Sequence, residues 1–381
     1  MPCPILIATI MRPEGDTGVQ THFRTFAAWL AKAGQPARVI TPYDAPKWKV
    51  YPTFALRRLI DPLSGTASVW WYRHWHEVFL FHALRTALAD GAPCVVYAQC
   101  PLSADAAMLA RVSPAQRVVM VTHFNLSQAD EWAGKGAISK NGRLFNSIRH
   151  FETAVLPHLD GLVFVSEFMR SELAGHIPKL AAVPYRVIPN FLPDPGAQTA
   201  HDTPEADLIC IGTLEPRKNQ RYALEILAAA QRLGRPLHLT LVGDGPDRPE
   251  LEAHARRLGV MTDVCFAGYV RSAASLLPKH RACLHVANIE NLPLTLVEAL
   301  SRGLPVFAPA VGGIPEVFDD GVHGRVIPLD DVESAARLII EWIDAFATLA
   351  RAGAAARARF LERFEADAVA ASLTNFLCGQ E

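Results

Sequence analysis

Short apolar runs rich in valine and isoleucine recur along almost the whole chain, separated by longer stretches of helical periodicity. The runs predict strands at 5–11 (ILIATIM), 37–41 (ARVIT), 94–98 (CVVYA), 117–122 (RVVMVT), 161–165 (GLVFV) and 185–189 (YRVIP). A second series follows at 207–212 (DLICIG), 237–242 (LHLTLV), 263–267 (DVCFA), 282–287 (ACLHVA) and 304–308 (LPVFA). Strands that are apolar on both faces and separated by helices indicate parallel sheets joined by right-handed crossovers. Between the two series lies 190–206, NFLPDPGAQTAHDTPEA, with three prolines, Gly196 and small polar residues, which reads as a domain boundary. The fold expected is α/β, two Rossmann-like domains facing across a cleft. One covers 1–190 and the other 191–354, with functional loops at the C-terminal ends of the strands.

Composition narrows the classes. A chain of 381 residues suits two domains at roughly 150 residues each. Lysine and arginine number 37 against 38 acidic residues, so no global basic field exists to recruit nucleic acid, and only a local patch would attract an anionic surface. Seven cysteines at 3, 94, 100, 210, 265, 283 and 378 form no CxxC pair, which speaks for a reducing compartment and against a zinc or disulfide framework. No apolar span of about 20 residues and no secretory leader is visible. The expectation is a cytoplasmic protein.

The candidate chemistry lies in loops after strands. In 207–220, DLICIGTLEPRKNQ, a strand ends at Gly212 and a polar loop carries Arg217 and Lys218 into a helix beginning near Tyr222. Two cations beside helix N–H groups suit a diphosphate, although a solvated basic turn has the same pattern. It is not a Walker loop, because the glycine spacing is missing. In 283–303, CLHVANIENLPLTLVEALSRG, Glu290 sits in a loop and Pro293 opens a helix whose apolar face is Leu294, Val297 and Leu300. Glu298 lies about one turn in. An oriented carboxylate there accepts hydrogen bonds from two vicinal hydroxyls, and the free N–H groups around Leu292 and Leu294 suit a phosphate. Gly312 and Gly313 let a backbone approach closely, or simply turn. The G-x-G of 241–250 lacks the third glycine, against a dinucleotide site. In the first half, Gly15 and Gly18 open the helix 18–32 within RPEGDTGVQTH, and His123 ends a strand in VTHFN. Trp70, Trp71, Tyr72 and Trp75, with His74, His76 and His82, lack zinc-ligand spacing. They read as a core helix, or as a patch touching an apolar acceptor or a membrane surface. No G-x-S-x-G elbow and no strand-end D-x-D is present.

Together, GTLEPRKN (212–219), VGDGP (242–246), FAGYV (266–270), ENLPLTLVEAL (290–300) and GGIPE (312–316) resemble the retaining glycosyltransferases of family 4, of the glycosyltransferase-B fold. The glycine loop at 15–18, His123, SEFMRSEL (166–173) and VIPN (187–190) extend the likeness over nearly the whole chain. The resemblance implies that Arg217 and Lys218 neutralise a donor diphosphate and that Glu298 holds the ribose. It implies that Glu290, with the backbone of Asn291, Leu292, Pro293 and Leu294, grips the donor sugar, and that His123 lines the reaction centre. Thr295, Gly212, Tyr269 and Val270 complete the donor side, and Gly15 and Gly18 bring a helix start towards phosphate or acceptor. The segment 355–377 resembles the family's last helix, which crosses back onto the first domain. Two positions depart from the pattern: Thr213, where many members carry arginine, and Asn291, where they carry glycine. The activity implied is hexosyl transfer from a UDP- or GDP-sugar to a lipid-linked or cell-surface glycan. It needs no cofactor and no metal, and it takes place in the cytoplasm or at the inner face of the membrane. A nucleotide-sugar 2-epimerase and a non-catalytic binding protein are the rivals. The E-x7-E element with GGIPE disfavours the first, and the intact Arg217, Lys218, Glu290 and Glu298 set disfavours the second.

Overall fold

In the computed structural model, which describes residues 3–15, 17–196 and 204–380, the chain divides into two compact units. The first runs to Pro189 and takes up the chain again from Ala366; the second is Asn190–Glu365. The expected boundary at 190–206 thus begins where the second unit begins, and its residues 197–203 lie outside the described residues.

The first unit holds β1 (Ile5–Ala8), β2 (Ala37–Ile40), β3 (Cys94–Ala98), β4 (Gln116–Thr122), β5 (Gly161–Phe164) and β6 (Tyr185–Val187). They form one parallel sheet in the order β2-β1-β3-β4-β5-β6. The second holds β7 (Ala206–Ile211), β8 (Leu239–Val242), β9 (Val264–Gly268), β10 (His280–Leu284), β11 (Val306–Ala308) and β12 (Gly324–Val326). Their order is β12-β11-β10-β7-β8-β9, again all parallel. Both sheets are doubly wound. In the second, the chain order reverses between β7 and β10, the place where such sheets bind ligands.

All eleven expected strands are present, 94–98 with the bounds expected and the other ten with shifted ends. The strand β1 stops at Ala8 because the Thr9 hydroxyl accepts the Met11 amide (3.1 Å), curling the chain out of the sheet. The strand β10 starts at His280 and stops at Leu284, which moves His285 from strand to loop. The strand β12 was not anticipated. Its three residues carry no apolar run, and it docks through Gly324, where a Cβ would lie 1.8 Å from the Val306 carbonyl oxygen.

Each unit has its own core. Val95, Val96, Tyr97 and Ala98 of β3 are buried on both sheet faces, and the helix Gly18–Lys32 covers the first sheet with Phe23, Phe26 and Leu30. In the second unit the helix Gln220–Arg232 contributes Ala223, Leu224, Ile226 and Leu227. The aromatic stretch lies on the helix Gly65–Ala87. Trp71 donates to the Thr53 carbonyl (3.0 Å) and Trp75 stacks on Phe79, so most of the stretch is core, while Trp70 stays exposed.

The tail corrects one expectation. The segment 355–377 is not one helix but parts of two, Phe346–Arg363 and Ala366–Cys378. They break at Phe364, whose ring is fully buried and whose carbonyl accepts the Leu192 amide (3.0 Å). Arg357 of the first helix bonds the Ser301 carbonyl (3.0 Å) within the second unit. Only the second helix joins the first unit, burying Val369, Ala370, Leu373 and Leu377 and accepting the Trp29 indole N–H on Asp367 (2.9 Å). Among the described residues no helix is long and apolar enough to cross a membrane.

Candidate active site

At the reversal point of the second sheet, the loops after β7 and β10 lie side by side. The first leaves the sheet at Gly212 and tightens into a 3-10 turn, Pro216–Lys218. Asn219, held at φ +55°, redirects the chain into the helix Gln220–Arg232. The Asn288 amide donates to the Arg217 carbonyl (3.0 Å), which stitches the second loop to the first. On this frame three side chains converge. Lys218 Nζ is 2.5 Å and Arg217 Nη1 3.2 Å from the same oxygen, Glu290 Oε1. Arg217 also holds Glu215 (3.0 Å), and His285 Nε2 lies 3.7 Å from Glu290. Burial pushes the Glu290 carboxyl up, but the charges beside it, Lys218 first, more than offset this and hold it below the usual carboxylate range. Burial drives His285 down to about 4, so at neutral pH it is an uncharged neighbour.

The backbone around Glu290 is supported from two sides. Gly312 has φ +57°, and a Cβ there would lie 2.0 Å from the Glu290 carbonyl oxygen, which accepts the Gly313 amide (2.9 Å). The paired glycines therefore pack on the protein's own loop. From the other side Asn190 Nδ2 donates to the Leu292 carbonyl (2.9 Å). Asn291, Leu292 and Pro293 are buried, and Pro293 stands as the N-cap of the helix Leu294–Ser301, one position earlier than expected. No side chain caps that helix, so its first N–H groups, at Leu294 and Thr295, have no intrahelical acceptor. The Thr295 hydroxyl is buried without a partner. One turn on, Glu298 is pushed up to about 7 by burial, with Arg302 opposing. It stands apart from the Glu290 cluster.

The structure thus joins Arg217, Lys218 and Glu290 in one cluster, continuous through Asn291–Thr295 with the helix that carries Glu298. Gly212 tolerates a Cβ sterically, whereas Gly243 does not, since its Cβ would meet the Gly212 carbonyl at 2.0 Å. Tyr269 and Val270 follow the edge strand β9, with Tyr269 exposed.

In the first unit His123 leaves β4 with Nε2 at 3.3 Å from Gln99 Oε1 and its ring edge-on to His22 (4.6 Å). His22 Nε2 is 3.0 Å from the Tyr97 hydroxyl. Burial, reinforced by His22, holds His123 well below its ordinary value, so its imidazole is neutral at pH 7. Sequence reasoning singled out His123 but not His22, Tyr97 or Gln99. The available signal was position: His22 lies one turn after Gly18, and Gln99 follows the end of β3. Gly15, at φ +151°, yields to the Gln20 side chain, which bonds the carbonyls of Arg12 (2.9 Å) and Glu14 (2.8 Å). Gly18 is exposed at the first helical position, and the Thr17 hydroxyl already accepts the Gln20 amide.

Comparison with known proteins gives these loops a context. Residues 17–190 match the glycosyl transferase 4-like domain, and residues 196–359 match glycosyl transferases group 1. The GDP-mannose-dependent alpha-(1-6)-phosphatidylinositol monomannoside mannosyltransferase of Mycobacterium tuberculosis is 27% identical over 99% of this chain and 98% of its own. A sucrose-phosphate synthase from Thermosynechococcus elongatus superposes with a TM-score of 0.76 at 18% identity, over 99% of both chains. Anabaena HepE, solved in complex with UDP and glucose, superposes with a TM-score of 0.67 at 18% identity, also over 99% of both. The two matched regions, in this order and on two doubly wound sheets, establish that the chain belongs to the group 1, family 4 glycosyltransferases of the glycosyltransferase-B fold.

Proposed function

We propose that the protein transfers a hexosyl group from a nucleotide-sugar to a lipid-linked or cell-surface glycan, with retention at the anomeric carbon and without a metal. The observation that carries this reading is the convergence of Lys218 and Arg217 on the buried Glu290 at the sheet's reversal point. As the bond to the leaving phosphate breaks, negative charge gathers on the diphosphate and positive charge on the sugar. Lys218, Arg217 and the uncapped N–H groups of the helix Leu294–Ser301 stabilise the first, fixed dipoles and charges being commonly the largest contribution to such a barrier. Glu290, kept ionised, stabilises the second. Glu298 accepts the ribose hydroxyls. The full-length mannosyltransferase relative favours GDP-mannose as the donor to try first.

The test is transfer from GDP-mannose and UDP-glucose to a lipid-extract acceptor in excess EDTA, with the product anomer read by NMR. Turnover in EDTA with the donor's anomeric configuration kept is expected. Loss of turnover that Mg²⁺ or Mn²⁺ restores overturns the metal-free reading, and an inverted product overturns retention.

A further inference from the structure

The helix Lys47–Ile60 in the first unit has two apolar sides, and only one of them is used. Inward, Val50 is fully buried, Phe54 stacks on His76 and Arg57 donates to the Ser68 hydroxyl (2.8 Å). Outward, Trp48, Tyr51, Pro52, Ala55 and Leu59 recur at helical spacing, so they form one stripe, and all are exposed. Trp48 is 74% and Leu59 67% exposed, and Leu63 in the turn beyond reaches 84%. Single exposed apolar residues need no explanation, but a contiguous stripe on an otherwise polar surface does. Cations border it: Lys47 and Arg58 on one flank and Lys49 on the other, the last folded over the Trp48 ring at 4.9 Å. The only carboxylate in 47–63 is Asp61, and the inward-turned Arg57 pairs it at 3.7 Å. In a chain of net charge −1 this face is locally basic. A recess of about 500 Å³, whose lining includes Ser64, Trp70, Leu144 and Arg143, repeats the pairing of apolar wall and cation.

We propose that this stripe, Trp48 to Leu63, seats the first unit on an anionic lipid bilayer. The occupant follows from chemistry. Trp and Tyr among aliphatic residues, flanked by lysine and arginine, match an interfacial helix whose apolar side enters the acyl boundary while its cations meet lipid phosphates. A second copy fits worse, because a two-fold contact would bring together two faces bordered by cations, with Asp61 the one carboxylate in 47–63 on each. The inference deepens the proposed function by naming where a lipid-linked acceptor is met, and it rests on that reading only for its purpose.

The experiment is flotation of the full chain with phosphatidylcholine vesicles, with and without phosphatidylglycerol. Binding to the phosphatidylglycerol vesicles alone, weakening steeply between 0.1 and 0.5 M salt, is the expected result. Trp48→Ser with Leu59→Ser, both exposed, should weaken it at least tenfold, and Lys47→Glu with Arg58→Glu should abolish it. GDP binding should remain at the wild-type level in every variant. Equal binding by wild type and variants, binding to neutral vesicles alone, or a dimer in solution that Trp48→Ser dissolves would each overturn the proposal. Vesicles free of acceptor and donor keep this outcome separate from whether the chain transfers a sugar.

Discussion

Glu290 and Lys218 are nearly shut off from water, with side chains 10% and 16% exposed. A loop as polar as 213–219 predicts that Lys218→Ala loses mostly turnover rather than fold. The structure changes that, because the substitution removes the nearer of the two cations held at the buried Glu290 carboxylate and leaves it to Arg217. It should lower stability by about 1.5–3 kcal/mol, as for the loss of a hydrogen bond to a charged group, and turnover by ~10²–10³. Adding Glu290→Gln should return most of the melting temperature and none of the rate. A Lys218→Ala protein that melts like wild type would show that the pair does not support the loop. Glu298 gives the second residue-scale prediction. Its folded value is raised from 4.5 to about 7, so the folded chain keeps a proton that the unfolded chain releases between those values. Stability from this group is therefore present below 4.5 and lost as pH rises through 7. The ionised form is the better acceptor for ribose hydroxyls, so GDP affinity should climb between pH 6 and 8. Calorimetric titration should find that climb flattened in Glu298→Gln and retained in Glu290→Gln.

At the scale of elements, the glycine pair shows how a turn far along the chain shapes the catalytic loop. Gly312→Ala puts a methyl 2.0 Å from the Glu290 carbonyl oxygen at φ +57°, so the Glu290 loop must move. Gly234→Ala, at φ +81° with nothing within 4 Å, carries only the backbone strain, about 1 kcal/mol. Steady-state kinetics should show a loss of kcat of tenfold or more for Gly312→Ala and none for Gly234→Ala; equal effects would mean that Gly312 acts through strain alone. The same contact explains what was legible. Apolar runs marked eleven strands because a strand buried on both faces must be apolar throughout. They missed β12, whose place depends on Gly324 meeting the Val306 backbone, and they ran past Leu284, hiding that His285 faces Glu290. Motif order brought out Arg217, Lys218 and Glu290. It could not reveal that Asn190 holds Leu292, or that His22, Tyr97 and Gln99 gather around His123. Such contacts join positions up to about a hundred residues apart, and no local pattern encodes them.

At the scale of the whole chain, the two units are built differently in sequence. The second is one continuous segment, Asn190–Glu365, whereas the first needs the helix Ala366–Cys378 from the far end of the chain. That helix buries Leu373 and Leu377 completely, and the Arg117 guanidinium donates to the Leu377 carbonyl (3.1 Å). Burying each leucine is worth about 1.5–3 kcal/mol, so losing the helix removes several kcal/mol from a unit whose total stability is only about 5–15 kcal/mol. In the second unit the buried Phe364 ring and the Leu192 N–H bond to the Phe364 carbonyl lie before the cut. A chain stopped after Glu365 should therefore show two separated melting transitions. The lower one should be shifted down by at least 10 °C, and the upper one should still rise when GDP is added, since Arg217, Lys218 and Glu298 all lie in the intact segment. If calorimetry instead finds the GDP-responsive transition lost with the helix, the second unit does not stand by itself. The nucleotide response would then depend on the first unit's integrity as well.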